Sequence, residues 1–172
     1  KIYINTENLT NKWFFTKNNI PGTRRFGDYF QVAHVVATLL NEAYVLKEEN
    51  CQDINEFYCC NGKKIEKKVV RETATPRSLR YKKREKIIFP YDYKNGKLIR
   101  YSTQFPGAVN YLNDFREQLD ERESDRNALW FEYGRSQALA GLNKRKLLIS
   151  TVITEKVVVY MLKKKCIPYA GM

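Results

Sequence analysis

The sequence predicts an α+β fold of short antiparallel strands and hairpins, with a helical pair in the C-terminal half. Three observations carry this. Two Asn-Gly dipeptides, Asn61-Gly62 and Asn95-Gly96, each separate two short runs rich in strand formers, and Asn-Gly readily takes the positive φ angles of a type I′ hairpin turn. Beyond Pro106 the apolar residues recur every three or four positions, which is the helical period. Hydrophobic residues make up 43% of the 172, enough to build a core and too many for wholesale disorder.

The elements follow in chain order. Residues 1–26 mix apolar residues with Asn and Lys around Trp13-Phe14-Phe15, and Pro21-Gly22 marks a turn. This stretch reads as a lead-in from a longer parent chain, with one domain over residues 27–172. A start at Lys1 without Met and an abrupt end after Ala170-Gly171-Met172 give the same expectation of a piece cut from a larger protein. Tyr29 to Val36 and Glu42 to Leu46 have the β-branched and aromatic content of strands. The first hairpin joins Phe57–Cys60 to Lys64–Val70. The second joins Ile87–Tyr93 to Leu98–Tyr101, with Pro90 marking an edge strand or an early strand end. Ala108, Tyr111, Leu112, Phe115 and Leu119 form one helical stripe, and Pro106 suits its first turn. Ala128 to Tyr133 reads as a shorter aromatic helix or turn, Gly134 and Gly141 bracket a loop, and Lys146–Thr151 and Val157–Leu162 read as strands. Trp13, Phe115, Trp130 and Phe131 are expected in the core by residue type.

The charge is strongly positive and unevenly placed. Lys and Arg total 31 against 19 Asp and Glu, a net charge of +12. Residues 63–86 hold eleven Lys or Arg and three Glu, and residues 144–165 hold seven and one. Residues 114–125 run the other way, with six acids and two Arg. Segregated charge of this kind is the electrostatic footprint of nucleic-acid binding, so the two basic segments are expected to face a duplex and the acidic helix to face away. A membrane surface fits less well, because the basic residues do not lie on one amphipathic helix with an apolar opposite face. No apolar run approaches the roughly 18 residues of a membrane-spanning helix.

Several chemistries lack their parts. No glycine-rich dinucleotide or methyl-donor loop, no Walker loop and no Pro-Pro pair of an amino-methyltransferase motif is present. One histidine, His34, placed in a strand run, reads as structural, and with no nucleophile signature beside it the sequence argues against a hydrolase triad. Cys51, Cys59, Cys60 and Cys166 fit no zinc spacing and are expected as reduced, partly buried thiols. Neither a catalytic nor a metal site is expected here.

The best candidate for a reading surface is Trp130-Phe131-Glu132-Tyr133-Gly134-Arg135-Ser136-Gln137, an aromatic cluster running into Gly-Arg-Ser-Gln. Arg and Gln are the side chains best shaped to grip guanine and adenine edges with two hydrogen bonds. Arg135 and Gln137 are therefore the base-edge candidates, the competing account of Arg135 being an ion pair with an acid such as Glu132. Ser136 could donate to a phosphate or cap a turn. Lys144 and Arg145 are expected on phosphates, which position without specifying. Arg77, Arg80, Lys82, Lys83 and Arg84 are expected in the same role or in the minor groove. Thr38 and Asn41 lie in a turn that could reach DNA or serve only as turn chemistry.

Taken together these stretches resemble the target-recognition domain of adenine-N6 DNA methyltransferases of type II and type IIG restriction-modification systems, and are similar to the TaqI-like C-terminal specificity domain. Gly27 to His34 with Ala37 to Val45 resembles that family's opening strand pair, Val35 standing where the family often has Gly. Glu72 to Arg80 resembles its Pro-Arg or Lys linker. Lys86-Ile87-Ile88-Phe89-Pro90-Tyr91 resembles its Phe-Pro-Tyr strand, and Trp130 to Gln137 with Lys144 to Ile149 its aromatic-Gly-Arg block and following strand. The resemblance spans about residues 27–170. It implies a bacterial, cytoplasmic DNA-binding module that reads sequence in double-stranded DNA. An upstream catalytic domain of the same polypeptide would bind S-adenosylmethionine and flip the target adenine, because the amino group is unreachable in a stacked duplex. It implies no cofactor in this piece and is compatible with a parent that also carries an endonuclease. The competing readings are a stand-alone nucleic-acid-binding protein and a subunit-interaction domain whose basic faces meet an acidic protein.

Overall fold

The structure, a computed structural model, describes residues 3–4, 15–16, 28–94, 97–100, 105–152 and 156–170. The chain divides into two compact units, Lys1–Ala33 and His34–Met172. In the first, β1 (Tyr3–Ile4) pairs antiparallel with β2 (Phe15–Thr16). Trp13, Phe14 and the Pro21-Gly22 turn lie outside the described residues.

The strand expected over Tyr29–Val36 does not form. Residues 30–35 carry no regular structure, and only Val36 and Ala37 make isolated bridges, to Tyr169 and Arg135. Strand propensity is realised only against a partner edge, and residues 30–35 make no ladder with any described strand. The opening strand pair implied by the family resemblance is thus absent as such. His34 is correspondingly exposed and outside any strand. The second expected strand is split. Its first part is the helical turn α1 (Asn41–Tyr44), and only β3 (Val45–Lys47) stays extended. Local side-chain bonds favour the turn: the Thr38 hydroxyl donates to Asn41 Oδ1 at 2.7 Å and accepts from Leu40 N at 3.1 Å.

Next comes an antiparallel meander of β4 (Cys51–Ile54), β5 (Phe57–Cys60) and β6 (Lys63–Glu66). The turn between β5 and β6 is the expected Asn-Gly turn, with φ of 51° at Asn61 and 76° at Gly62. A 3-10 turn, Lys67–Val69, ends the second arm early and leads into β7 (Val70–Ala74). α2 (Pro76–Arg80) follows, opened by a reciprocal capping box between Thr75 and Ser78. β8 (Glu85–Ile88), β9 (Tyr91–Lys94) and β10 (Lys97–Arg100) come next. β9 and β10 pair antiparallel across Asn95-Gly96, which lies outside the described residues. Pro90, without an N–H to donate, separates β8 from β9 where one strand was expected.

The helical run from Pro106 comprises α3 (Pro106–Leu112), a 3-10 turn and α4 (Arg116–Asp120). Pro106 occupies the first turn as expected, while Ala128 to Tyr133 forms turns. β11 (Lys146–Ile149) and β12 (Val159–Leu162) pair antiparallel, and β13 (Ile167–Pro168) adds in parallel to β7. The main sheet therefore has the order β13-β7-β8-β3.

The two aromatic motifs meet in the core. Tyr133 packs edge-on against Tyr44 and Tyr91, with ring centroids 5.2 and 5.5 Å apart. The Tyr133 hydroxyl donates to Ile88 O at 2.7 Å, and Tyr133 N donates to the Tyr91 hydroxyl at 3.0 Å. Buried phenols need such partners, and burial pushes the Tyr44 hydroxyl up to about 12 against the opposing pull of Arg122. Phe131 is buried, while Trp130 and Phe115 are half-buried against the same core. A smaller cluster of Ala74, Leu148, Leu162 and Cys166 lies beneath β11 and β12.

The cysteines depart from expectation. Cys51 and Cys60 face each other across β4 and β5 and form a disulfide, leaving Cys59 half-buried and Cys166 buried as thiols. The spacing concealed this because β4 carries no strand signature of its own: three of its four residues are exposed.

Candidate nucleic-acid interface

Arg135, Ser136 and Gln137 stand on a loop fixed from two sides. Gly134 N donates to Thr38 O at 3.2 Å and Arg135 N to Ala37 O at 3.1 Å. On the other side Asp125 N donates to Gly134 O at 2.8 Å, and Asp125 Oδ2 accepts both the N–H and the hydroxyl of Ser136. The Ser136 amide and hydroxyl, with a smaller contribution from Arg135, hold the Asp125 carboxyl below the usual aspartate value despite its partial desolvation. Arg135 pairs with Asp125 at 3.4 Å, so its partner is not Glu132. Glu132 is buried and accepts from Leu129 N. A half-exposed pair of this length is worth only about 0–1 kcal/mol, so the guanidinium can exchange it for a better acceptor. Gln137 is exposed.

Arg122 anchors the frame behind this loop. Its guanidinium donates to the carbonyls of Leu119, Thr38, Trp130 and Glu132. In the sequence Arg122 is marked only as one of two arginines among the acids of residues 114–125. The structure makes it the clamp that ties the helix end to the aromatic block and to the Thr38 turn.

Thr38 and Asn41 act in that frame. Thr38 is 1% exposed, so it is turn chemistry and out of reach of a duplex. Asn41 Nδ2 donates to Ala170 O at 2.7 Å. Asn41, Arg77 and Lys83 nonetheless line one concavity of about 1150 Å³, together with Ser150 and Thr151. Arg80, Lys82 and Arg84 are exposed beyond its lining, as are Lys144 and Arg145.

The first basic cluster is only partly available. Lys63 donates to Asp114 and to Asn110 O. Lys67 pairs with Asp53 and, with Lys86, lies over the Tyr58 ring. Lys64 lies over Phe57, and Arg71 donates to the carbonyls of Lys68 and Val70. These contacts occupy five of the eleven cations in residues 63–86. The acidic helix is likewise engaged through Asp114 and through the Arg116–Asp120 pair.

Tertiary folding brings together cations that sequence reading did not single out. Lys68 and Arg71 line a second concavity of about 980 Å³ with Lys163, Lys164 and Lys165, beside Glu72 and Asp92. Lys146 Nζ donates to the carbonyls of Lys164 at 3.1 Å and Cys166 at 2.8 Å. Burial lowers the pKa of that ammonium. The Lys163-Lys164-Lys165 run immediately after a strand was the available signal; nothing local marks Lys68 or Arg71.

No protein-family model matches the chain, and no curated protein matches its sequence. Among the described residues no helix is long and apolar enough to cross a membrane.

Proposed function

We propose that this chain is the sequence-reading module of a site-specific adenine-N6 DNA methyltransferase of a restriction-modification system, acting in the bacterial cytoplasm on double-stranded DNA. In this reading an upstream catalytic domain of the same polypeptide holds S-adenosylmethionine and the flipped adenine, and this chain supplies specificity. The observation that supports it most is the preorganised loop: a backbone pinned by Ala37, Thr38 and Asp125 presents a half-exposed Arg135 and an exposed Gln137. Side chains that read bases must be held in register by a rigid support, and Arg and Gln are suited to guanine and adenine.

Selection from a random duplex library, followed by sequencing of the bound pool, tests the reading. The expected result is an enriched motif that Arg135→Ala loses, with a smaller loss of overall binding. A wild-type pool without enrichment, or an Arg135→Ala pool with the same motif, would overturn the assignment.

A further inference from the structure

The turn Lys163–Cys166 is built in a way that needs an explanation. Cys166 N donates to Lys163 O at 3.1 Å, closing the turn. The Lys146 ammonium fills the inner side by donating to its carbonyls. With those carbonyls turned to Lys146, Lys163, Lys164 and Lys165 are all exposed. Three consecutive lysines are thus presented on a turn whose backbone is held by Lys146, and they line one concavity with Lys68 and Arg71. Among the described residues the ion pairs involve Lys63, Lys67, Arg116 and Arg135, and none of the five concavity cations. Mutual repulsion disfavours such a cluster unless an anion compensates it. Glu72 and Asp92, at the same concavity, leave a net positive lining.

We propose that Lys68, Lys163, Lys164 and Lys165, at the concavity whose wall also holds the carbonyl-bound Arg71, form a phosphate-tract clamp, separate from the Arg135 loop, that takes adjacent backbone phosphates whatever the base sequence. Lys146 is its positioning residue: it touches no phosphate and holds the turn from behind. The nucleic-acid source of the phosphates rests on the DNA-reading function; the anion site itself does not.

The chemistry fits phosphodiesters. Lysines act as flexible point charges on phosphate oxygens, and neutralising each phosphate releases a counterion and steepens the salt dependence of binding. One lysine comes from the turn between β6 and β7 and three follow β12, so the clamp exists only in the folded chain.

The experiment compares wild type, the quadruple variant K68Q/K163Q/K164Q/K165Q and Lys146→Met. It uses a random-sequence duplex across a salt series and, separately, inorganic tripolyphosphate. The expected result is a plot of log affinity against log salt that is shallower by about 0.9 for each phosphate contact removed, up to about 3.6 for the four lysines of the quadruple variant. Sequence preference persists and tripolyphosphate binding disappears. Lys146→Met lowers the slope too, whereas Lys146→Arg, which can still donate to the turn carbonyls, restores part of it. An unchanged slope in a folded quadruple variant would overturn the clamp and leave the DNA-reading function standing. Tripolyphosphate binding lost in the quadruple variant, with no duplex binding by wild type, would uphold the anion site and overturn the DNA reading. Lys146→Met that loses stability while keeping the full slope would overturn the positioning role.

Discussion

Ser136 is joined to Asp125 through a single carboxylate oxygen, its backbone N–H and its hydroxyl each donating to Oδ2 at 2.8 Å. The same carboxylate receives the Arg135 guanidinium on its other oxygen. One aspartate therefore fixes the backbone of the Arg135–Ser136 loop and sets the resting position of the Arg135 side chain.

The anchor has a pH signature. A carboxyl whose pKa is lower folded than unfolded stabilises the fold above the unfolded value, and that contribution is lost as pH falls through the folded one. Asp125 is such a group. The loop is expected to stay ordered throughout the neutral range and to loosen only below the ordinary aspartate value, about 3.9. Asp125→Ala should remove this acid transition and weaken sequence preference in the direction of Arg135→Ala, with little change in thermal stability. Amide exchange at Ser136 measured from neutral to acidic pH checks it; equal protection in the variant would show that Asp125 does not hold the loop.

Arg122 serves four carbonyls with one guanidinium. Hydrogen bonds from charged donors contribute about 1.5–3 kcal/mol each when made, with strong overlap between them. Arg122→Met keeps much of the packing over Tyr44 and removes all four bonds, leaving Thr38 O only its bond from Gly134 N and Glu132 O only its bond from the Tyr44 hydroxyl. A stability loss of about 2–3 kcal/mol is expected, read as a lower urea midpoint at unchanged slope. A midpoint within error of wild type would mean that water replaces the guanidinium.

Gly107 lies where the start of α3 meets β6. An added Cβ would sit 2.1 Å from Lys64 O, while Glu66 accepts the N–H groups of Gly107 and Ala108 at 2.8 and 2.9 Å. Alanine gains about 1 kcal/mol of helix propensity, but the obstacle is backbone and cannot rotate away. Gly107→Ala is expected to destabilise by about 1–3 kcal/mol net, as overpacking does. A variant more stable than wild type by thermal unfolding would show that α3 shifts freely on β6.

Cys51 and Cys60 enclose a short loop, with a sequence separation of 9. A cross-link of that span contributes at most about 2–3 kcal/mol through unfolded-state entropy. The β4–β5 register and the lysines over Tyr58 remain without it. Reduction in a cytoplasmic setting should therefore lower the unfolding temperature by several degrees and leave the fold in place. Unfolding of the whole chain on adding reductant would contradict this.

The sequence by itself determined the elements whose cause is local. Asn61-Gly62 specifies its hairpin because both residues tolerate positive φ, Pro106 opens its helix, and the apolar runs in Lys146–Thr151 and Val157–Leu162 contain the strands Lys146–Ile149 and Val159–Leu162. It also determined the α+β class, since period and turn chemistry are properties of short windows. Tertiary structure decided what depends on distant partners. Tyr29–Val36 has strand composition but gains bridges only at Val36, because composition does not supply an edge. Thr38 reads as a surface turn residue and is buried, because Arg122 and Gly134 arrive from nearly a hundred residues away to use its carbonyl. Charge was legible as a total and not as a surface. Five cations of the first cluster were consumed by aromatic rings, carbonyls and acids. Lys68 and Arg71 meet Lys163–Lys165 only because β7 and β13 pair in parallel, setting the end of one cluster beside the other.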